Sequence, residues 1–339
     1  MVKQNQSTIT FLLLPLLFIL FISTKIEGAN KLFVFGDSYV DTGNALNSGS
    51  YKPPSGITYP GTPAGRFSDG RVLTDYIASF LKIDIPISYS LKNSSNLQNG
   101  INFAYGGTGF FKTLVDGPNV SVQINSFEQL IQQNVYSKSD LETSLVLLNS
   151  GANDYTTFAL KNTSLQAIQQ FTESLVKEVV VNLRHIQSLG AQKIALTLLQ
   201  PFGCLPIISS TSGFQNCIDT LNLVATNHNN LILQNVDDLN KEIGKPVFKT
   251  LDLYNTFLST IQTMQKSRAE NSTLMNPLEP CCAKDSAGVN CGKVDDKGQK
   301  NYTLCEKPEL SFFWDNVHPS QNGWSSIYTQ LQSSLGQLI

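Results

Sequence analysis

Short apolar runs recur along the chain at residues 31–35, 101–104, 145–149, 193–198 and 247–251. Each is rich in branched or aromatic side chains and too short for a helix, so it reads as a strand covered on both faces. Between the runs lie amphipathic stretches. The clearest covers residues 165–189, where Leu165, Ile168, Leu175, Val179, Leu183 and Ile186 form one stripe at helical spacing and Gly190 stands just past the end as a stop. Such a stripe is core. Further helices are predicted at 71–81, 126–133, 223–239, 256–265 and 323–335. Strands alternating with helices predict an α/β fold, a three-layer α/β/α sandwich around a mostly parallel five-stranded sheet.

Two segments break the alternation. Residues 44–69 are full of Gly, Pro and Ser with Tyr51, Tyr59 and Phe67 interleaved, which predicts an irregular loop over the mouth of the fold. Residues 276–307 hold four of the six cysteines and read as a stapled surface excursion. No internal repeat or low-complexity tract is present. The remaining 30–339 is expected to be one domain, because a core of this size needs no division.

The first 29 residues stand apart. Lys3 precedes an unbroken apolar run from Ile9 to Ile22, followed by a polar stretch with Gly28-Ala29, which is the pattern of a cleaved secretory signal. A membrane anchor is the competing reading, but the run is shorter than the roughly 20 residues that span a bilayer. Cysteine usage agrees with export: Cys204, Cys217, Cys281, Cys282, Cys291 and Cys305 are an even set whose pairing the sequence leaves open. A zinc site within 281–305 lacks the close paired spacing such sites use. Sequons at Asn93, Asn119, Asn162, Asn271 and Asn301 fit the same compartment. The formal net charge is −2 without a basic block, so nucleic acid has no electrostatic footprint here.

Gly36-Asp37-Ser38 follows the first strand directly, offering a serine at a strand's C-terminal end. A serine hydroxyl becomes a competent nucleophile when an imidazole takes its proton and a carboxylate fixes the imidazole tautomer. Only three histidines compete for that role. His185 sits on the flank of the long helix near Glu178 and reads as solvated; His228 shares an apolar helix side with Val224 and Leu231 and reads as a satisfied core histidine. His318 alone lies in a loop, before Pro319, with Asp315 three residues earlier. Asp315 and His318 are therefore the expected partners of Ser38.

Acyl transfer also needs donors for the oxygen that becomes negative. Two segments beyond strand ends can supply them: residues 102–107, whose Gly106 and Gly107 leave backbone N–H groups unobstructed, and 151–154, which offers the Asn153 amide. Asp37 and Asp41 invite a paired-carboxylate mechanism, but short acids after a strand commonly brace turns through backbone N–H groups. Asp154 is read likewise as a brace for Asn153. No spacing reads as a metal cage.

The strand-turn-helix signature Gly-x-Ser-x-Gly of the α/β-hydrolases is absent. Instead four blocks, 35–38 with Gly43-Asn44, 102–107, 151–154 and 315–318, stand in an order that resembles the plant-type GDSL, or SGNH, esterases and lipases from residue 31 to the C-terminus. The resemblance implies a flavodoxin-like sandwich of the SGNH hydrolase type. It implies Ser38 as nucleophile, His318 as base then acid, Asp315 as its orienting partner, and an oxyanion hole of the Ser38 N–H, Gly107 rather than Gly106, and Asn153. Neither cofactor nor metal is implied. The expected substrate is a small-molecule, lipid or glycan ester, with no nucleic acid and no stable membrane span. Two departures are visible: Tyr39 where the family name has Leu, and Ala45 in place of a frequent second Asn. An acyltransferase with the same acyl-enzyme, or a catalytically idle extracellular glycan- or lipid-binding protein, are the readings set against hydrolysis.

Overall fold

The computed structural model describes residues 29–93, 95–161, 164–283 and 291–338, so all but the last residue of the secretory signal expected at 1–29, and Asn162, lie outside the described residues. The main sheet has six parallel strands: β1 (Leu32–Gly36), β2 (Ile87–Ser88), β3 (Gly100–Asn102), β4 (Leu145–Asn149), β5 (Ile194–Thr197) and β6 (Phe248–Leu251), in the order β2-β3-β1-β4-β5-β6. The expected five strands are all present, and β2 is the correction. It pairs Ile87 with Ile101 and Ser88 with Asn102 at the sheet edge, and two residues are too few to carry a periodic signal.

Successive side chains of a strand point to opposite faces, and the sequence uses both. Phe33 and Phe35 of β1, with Val146 and Leu148 of β4, enter one core; Leu32, Val34, Leu145 and Leu147 enter the other. Nine α-helices are assigned among the described residues: α1 (Leu73–Leu81), α2 (Val120–Gln132), α3 (Lys138–Thr143), α4 (Ala152–Ala159), α5 (Leu165–Ser188), α6 (Pro206–Ser209), α7 (Asp219–Ile243), α8 (Leu253–Glu270) and α9 (Gln321–Gly336). Helices α2, α5 and α7 cover the first face, and α1, α8 and α9 the second. The three-layer sandwich follows.

Helix ends differ from the periodicity where caps decide them. Helix α2 begins at Val120 rather than 126 because the Asn119 side chain accepts the Val122 N–H. Helix α8 begins at Leu253 under the Asp252 cap. The cysteines pair Cys204 with Cys217, Cys281 with Cys305 and Cys282 with Cys291, so the excursion at 276–307 is stapled to itself. Within it β7 (Cys282–Ala283) pairs antiparallel with β8 (Thr303–Leu304). Cys281 and Cys282 also donate their N–H groups to Phe313 O and Trp314 O, tying the stapled segment to the chain that carries Asp315.

Candidate active site

The C-terminal end of β1, flanked by β3 and β4, is the crevice where ligands of open parallel sheets bind. The chain leaves β1 through Gly36, whose φ of +140° and closeness to β4 exclude a side chain: a Cβ there would lie 1.8 Å from Asn149 O. Gln123 on α2 clamps the same peptide, accepting from Gly36 N at 2.8 Å and donating to Gly36 O at 2.9 Å. Asp37 then braces the turn as expected, taking hydrogen bonds from Tyr39 N and Asn149 Nδ2. Burial pushes its carboxyl up to about 7 against those bonds and the nearby His318. Ser38 emerges at the tip.

From the far end of the chain, Asp315 organises its own turn: its Oδ1 accepts from Val317 N at 2.9 Å and His318 N at 2.8 Å. The His318 ring lies between acid and hydroxyl. Its Nδ1 is 2.8 Å from Asp315 Oδ2, and its Nε2 is 2.8 Å from Ser38 Oγ. A carboxylate can only accept, so Nδ1 carries the proton and Nε2 presents a lone pair to the serine. Burial would raise Asp315, but the charge and hydrogen bond of His318 and the two backbone N–H groups outweigh it and hold the carboxyl below its ordinary value. Phe67, from the loop over the mouth, stacks obliquely on His318 with ring centroids 5.3 Å apart. The 44–69 loop therefore does line the site.

The predicted anion donors converge on the same cavity, which is about 880 Å³ and lined by Ser38, Gly107, Asn153 and His318. Gly106 and Gly107 are not equivalent. Gly106 N–H donates to Asp41 Oδ2 at 2.9 Å, whereas the N–H groups of Gly107 and Ser38 meet no partner among the described residues. Gly107 has φ +84°, a conformation that favours glycine. Asn153 Nδ2 donates to Thr108 O at 3.0 Å, which fixes the amide and leaves it a second hydrogen. Asp41 holds this region together by accepting from Gly43, Asn44, Ala45 and Gly106; burial raises it to about 6 despite those bonds.

Several expectations need correction or addition. Asp154 does not brace Asn153 through its carboxylate: it accepts from Phe110 N and Phe111 N, so it anchors the chain beyond Gly107, and burial raises it to about 6. His185, expected as a solvated residue on the flank near Glu178, is half-buried and pairs with Glu128 of α2 at 3.1 Å. His228 is a core histidine, pushed down to about 3 by burial and bonded through Nδ1 to the Tyr155 hydroxyl. Sequence reasoning missed Gln123 and the amide lattice of Asn44, Asn102 and Asn149. Asn102 Nδ2 donates to Val40 O, Asn44 Nδ2 donates to Asn102 O and Ala104 O, and Asn149 bridges Asp37 and Thr197. A buried amide at the end of a strand, where its apolar neighbours leave off, was the available signal.

The family model described as GDSL-like Lipase/Acylhydrolase matches residues 32–329. The chain belongs to this family. It is 45% and 43% identical to two GDSL esterase/lipases of Arabidopsis thaliana, over 90% of this chain and 86% and 88% of theirs. It is also 30% identical to acetylajmalan esterase 2 of Rauvolfia serpentina, over 85% of each chain. Family membership makes the protein a carboxylic ester hydrolase, and the four blocks that carry the resemblance are those gathered around the cavity.

Proposed function

We propose that the chain is a secreted serine esterase whose single domain, residues 30–339, follows a cleaved signal at 1–29 and hydrolyses esters through an acyl-enzyme. The observation that supports this most is the continuous relay from Asp315 through His318 to Ser38 Oγ, beside the N–H groups of Ser38 and Gly107. His318 Nε2 takes the serine proton as Oγ bonds to the ester carbon. The carbonyl oxygen becomes negative and is met by Ser38 N, Gly107 N and the Asn153 amide. As the carbon–alkoxy bond breaks, His318 returns that proton to the departing alcohol. Water then gives a proton to His318 while its oxygen bonds to the acyl carbon, and the Oγ–carbon bond breaks with the proton returning to Ser38. Asp315 holds the imidazole tautomer throughout and stabilises its charged form.

Export is supported by the apolar leader and by the three disulfides, which persist in oxidising compartments. Among the described residues no helix is long and apolar enough to cross a membrane. Asn93, Asn271 and Asn301 are exposed and open to glycans. Asn119 is half-buried with its amide engaged at both ends, to Val122 N and Phe110 O, and is expected to stay bare.

The test is hydrolysis of p-nitrophenyl acetate by the wild type and by Ser38→Ala. A loss of about a thousandfold or more with an unchanged circular dichroism spectrum is expected. Equal turnover in a folded Ser38→Ala protein overturns the mechanism.

A further inference from the structure

The cavity around Ser38 is chemically lopsided. On the β3 side its wall is built from loops and includes Asn47, Ser48 and Asp116. On the other side it runs across the C-terminal ends of β4 and β5 toward α7, past Leu160, Ile168, Leu199, Phe202, Leu221 and Val224. No charged side chain among the described residues lines this second half. Most of its polar members are already engaged: the Tyr155 hydroxyl with Thr172 and His228, Thr156 with Ala152 O, and Thr197 with Asn149, while Ser150 Oγ, at the end of β4, is buried without a partner among the described residues. The apolar wall reaches the surface, where Leu160 is 70% and Leu221 37% exposed.

We propose that the β4–β5 half is the acyl site and that the enzyme prefers esters of medium-chain aliphatic acids to acetyl esters. This rests on the esterase reading of Ser38. A polyhydroxylated group buried there would give up water for many hydroxyls while finding few free partners, whereas an alkyl chain gives up nothing polar. Two strand spacings separate β1 from β5, about 10 Å, and carbon–carbon bonds of roughly 1.5 Å at tetrahedral angles make that the reach of about an eight-carbon chain. The acyl group is the part held through both halves of the reaction, so it belongs in the apolar half. The alcohol must depart before water enters, and the side with Asn47, Ser48 and Asp116 suits it. The exposed apolar rim lets a longer chain continue outward, so preference levels off with length.

The experiment measures kcat/KM for p-nitrophenyl acetate, butyrate, octanoate and dodecanoate, below their aggregation limits, with wild type, Val224→Trp and Leu160→Asp. Each buried methylene raises kcat/KM about two- to fourfold while the chain still finds wall, so octanoate should exceed acetate by about tenfold or more. Val224→Trp narrows the channel and should lower the octanoate-to-acetate ratio by about fivefold or more, and Leu160→Asp, at an exposed position that leaves the fold intact, should lower it in the same direction by opposing apolar burial. A flat or falling profile in the wild type, with acetate turnover still abolished by Ser38→Ala, overturns the acyl-site assignment alone. So does a ratio unchanged in both variants, or a length preference found among alkyl acetates instead of the acyl series. Absence of any Ser38-dependent turnover is the separate failure of the esterase reading.

Discussion

The Tyr39 hydroxyl donates to Val317 O at 2.7 Å, joining the residue after Ser38 to the residue before His318 across 278 positions of sequence. The Tyr39 ring is buried, edge-on to Trp324 at 5.1 Å and 6.0 Å from His318. A leucine at this position could fill space but could not hold the carbonyl. Tyr39 thus holds the turn that carries His318 against Ser38.

Removing that hydroxyl alone isolates the effect. Tyr39→Phe should cost about 1 kcal/mol of stability, the net worth of one hydrogen bond, together with the orphaned Val317 carbonyl. Because the turn carries His318, kcat should fall several-fold with KM little changed. Paired thermal melts and steady-state kinetics check this, and a KM effect with intact kcat would place Tyr39 in substrate binding instead.

The Asn153 amide is held by Thr108 O and aimed into the cavity that Ser38 lines. Asn153→Ala should lower kcat by about a hundredfold or more, the usual consequence of removing one side-chain oxyanion donor. Burst kinetics with a p-nitrophenyl ester would locate the loss in acylation. A drop under threefold would mean that the backbone donors suffice.

Stability should fall as pH rises through neutrality. Asp37 is raised to about 7, and Asp41 and Asp154 to about 6, in each case by burial, from an unfolded value near 3.8. For a raised carboxyl the folded state binds more protons than the unfolded one between those values, so its contribution is complete below about pH 4 and is lost as pH climbs through its folded pKa. Asp315, lowered by His318, acts oppositely and loses its contribution only as pH drops below the ordinary carboxylate range. Melting temperature should therefore decline from about pH 5 to pH 8. Asp37→Asn keeps the acceptor for Tyr39 N and Asn149 Nδ2 and should flatten part of that decline; an identical pH dependence in this variant would contradict the assignment.

The Cys281–Cys305 bridge closes a 24-residue separation beside the strand of chain that leads to Asp315. Replacing both cysteines by alanine should cost about 3 kcal/mol through the freed unfolded chain. Since Cys281 N and Cys282 N are bonded to Phe313 O and Trp314 O, the same variant should lose activity at temperatures below its global melt. Parallel activity and circular dichroism melts would separate the two transitions.

The sequence by itself determined the parts whose signal is local. Strand β4 was legible at both ends because its apolar run stops at polar residues, and α5 because six apolar residues repeat at the helical period. Ser38, Asp315 and His318, which the fold brings into one hydrogen-bonded row, could be picked out as candidates because chemistry restricts nucleophile, base and orienting acid to a few side chains, and this chain has only three histidines. Tertiary structure alone decided what depends on distance through space. The resemblance implied Gly107 over Gly106, but the reason lies in the fold: Asp41, 65 residues earlier, captures the Gly106 N–H, while that of Gly107 meets no partner among the described residues. Gln123 clamps Gly36 across 87 residues, and Tyr39 reaches Val317 across 278. The disulfide pairing, the two-residue edge strand β2 and the apolar half of the cavity belong to the same class. Periodicity records which face of an element is buried, but which polar group meets which is fixed only when the packed layers bring distant turns to one end of the sheet.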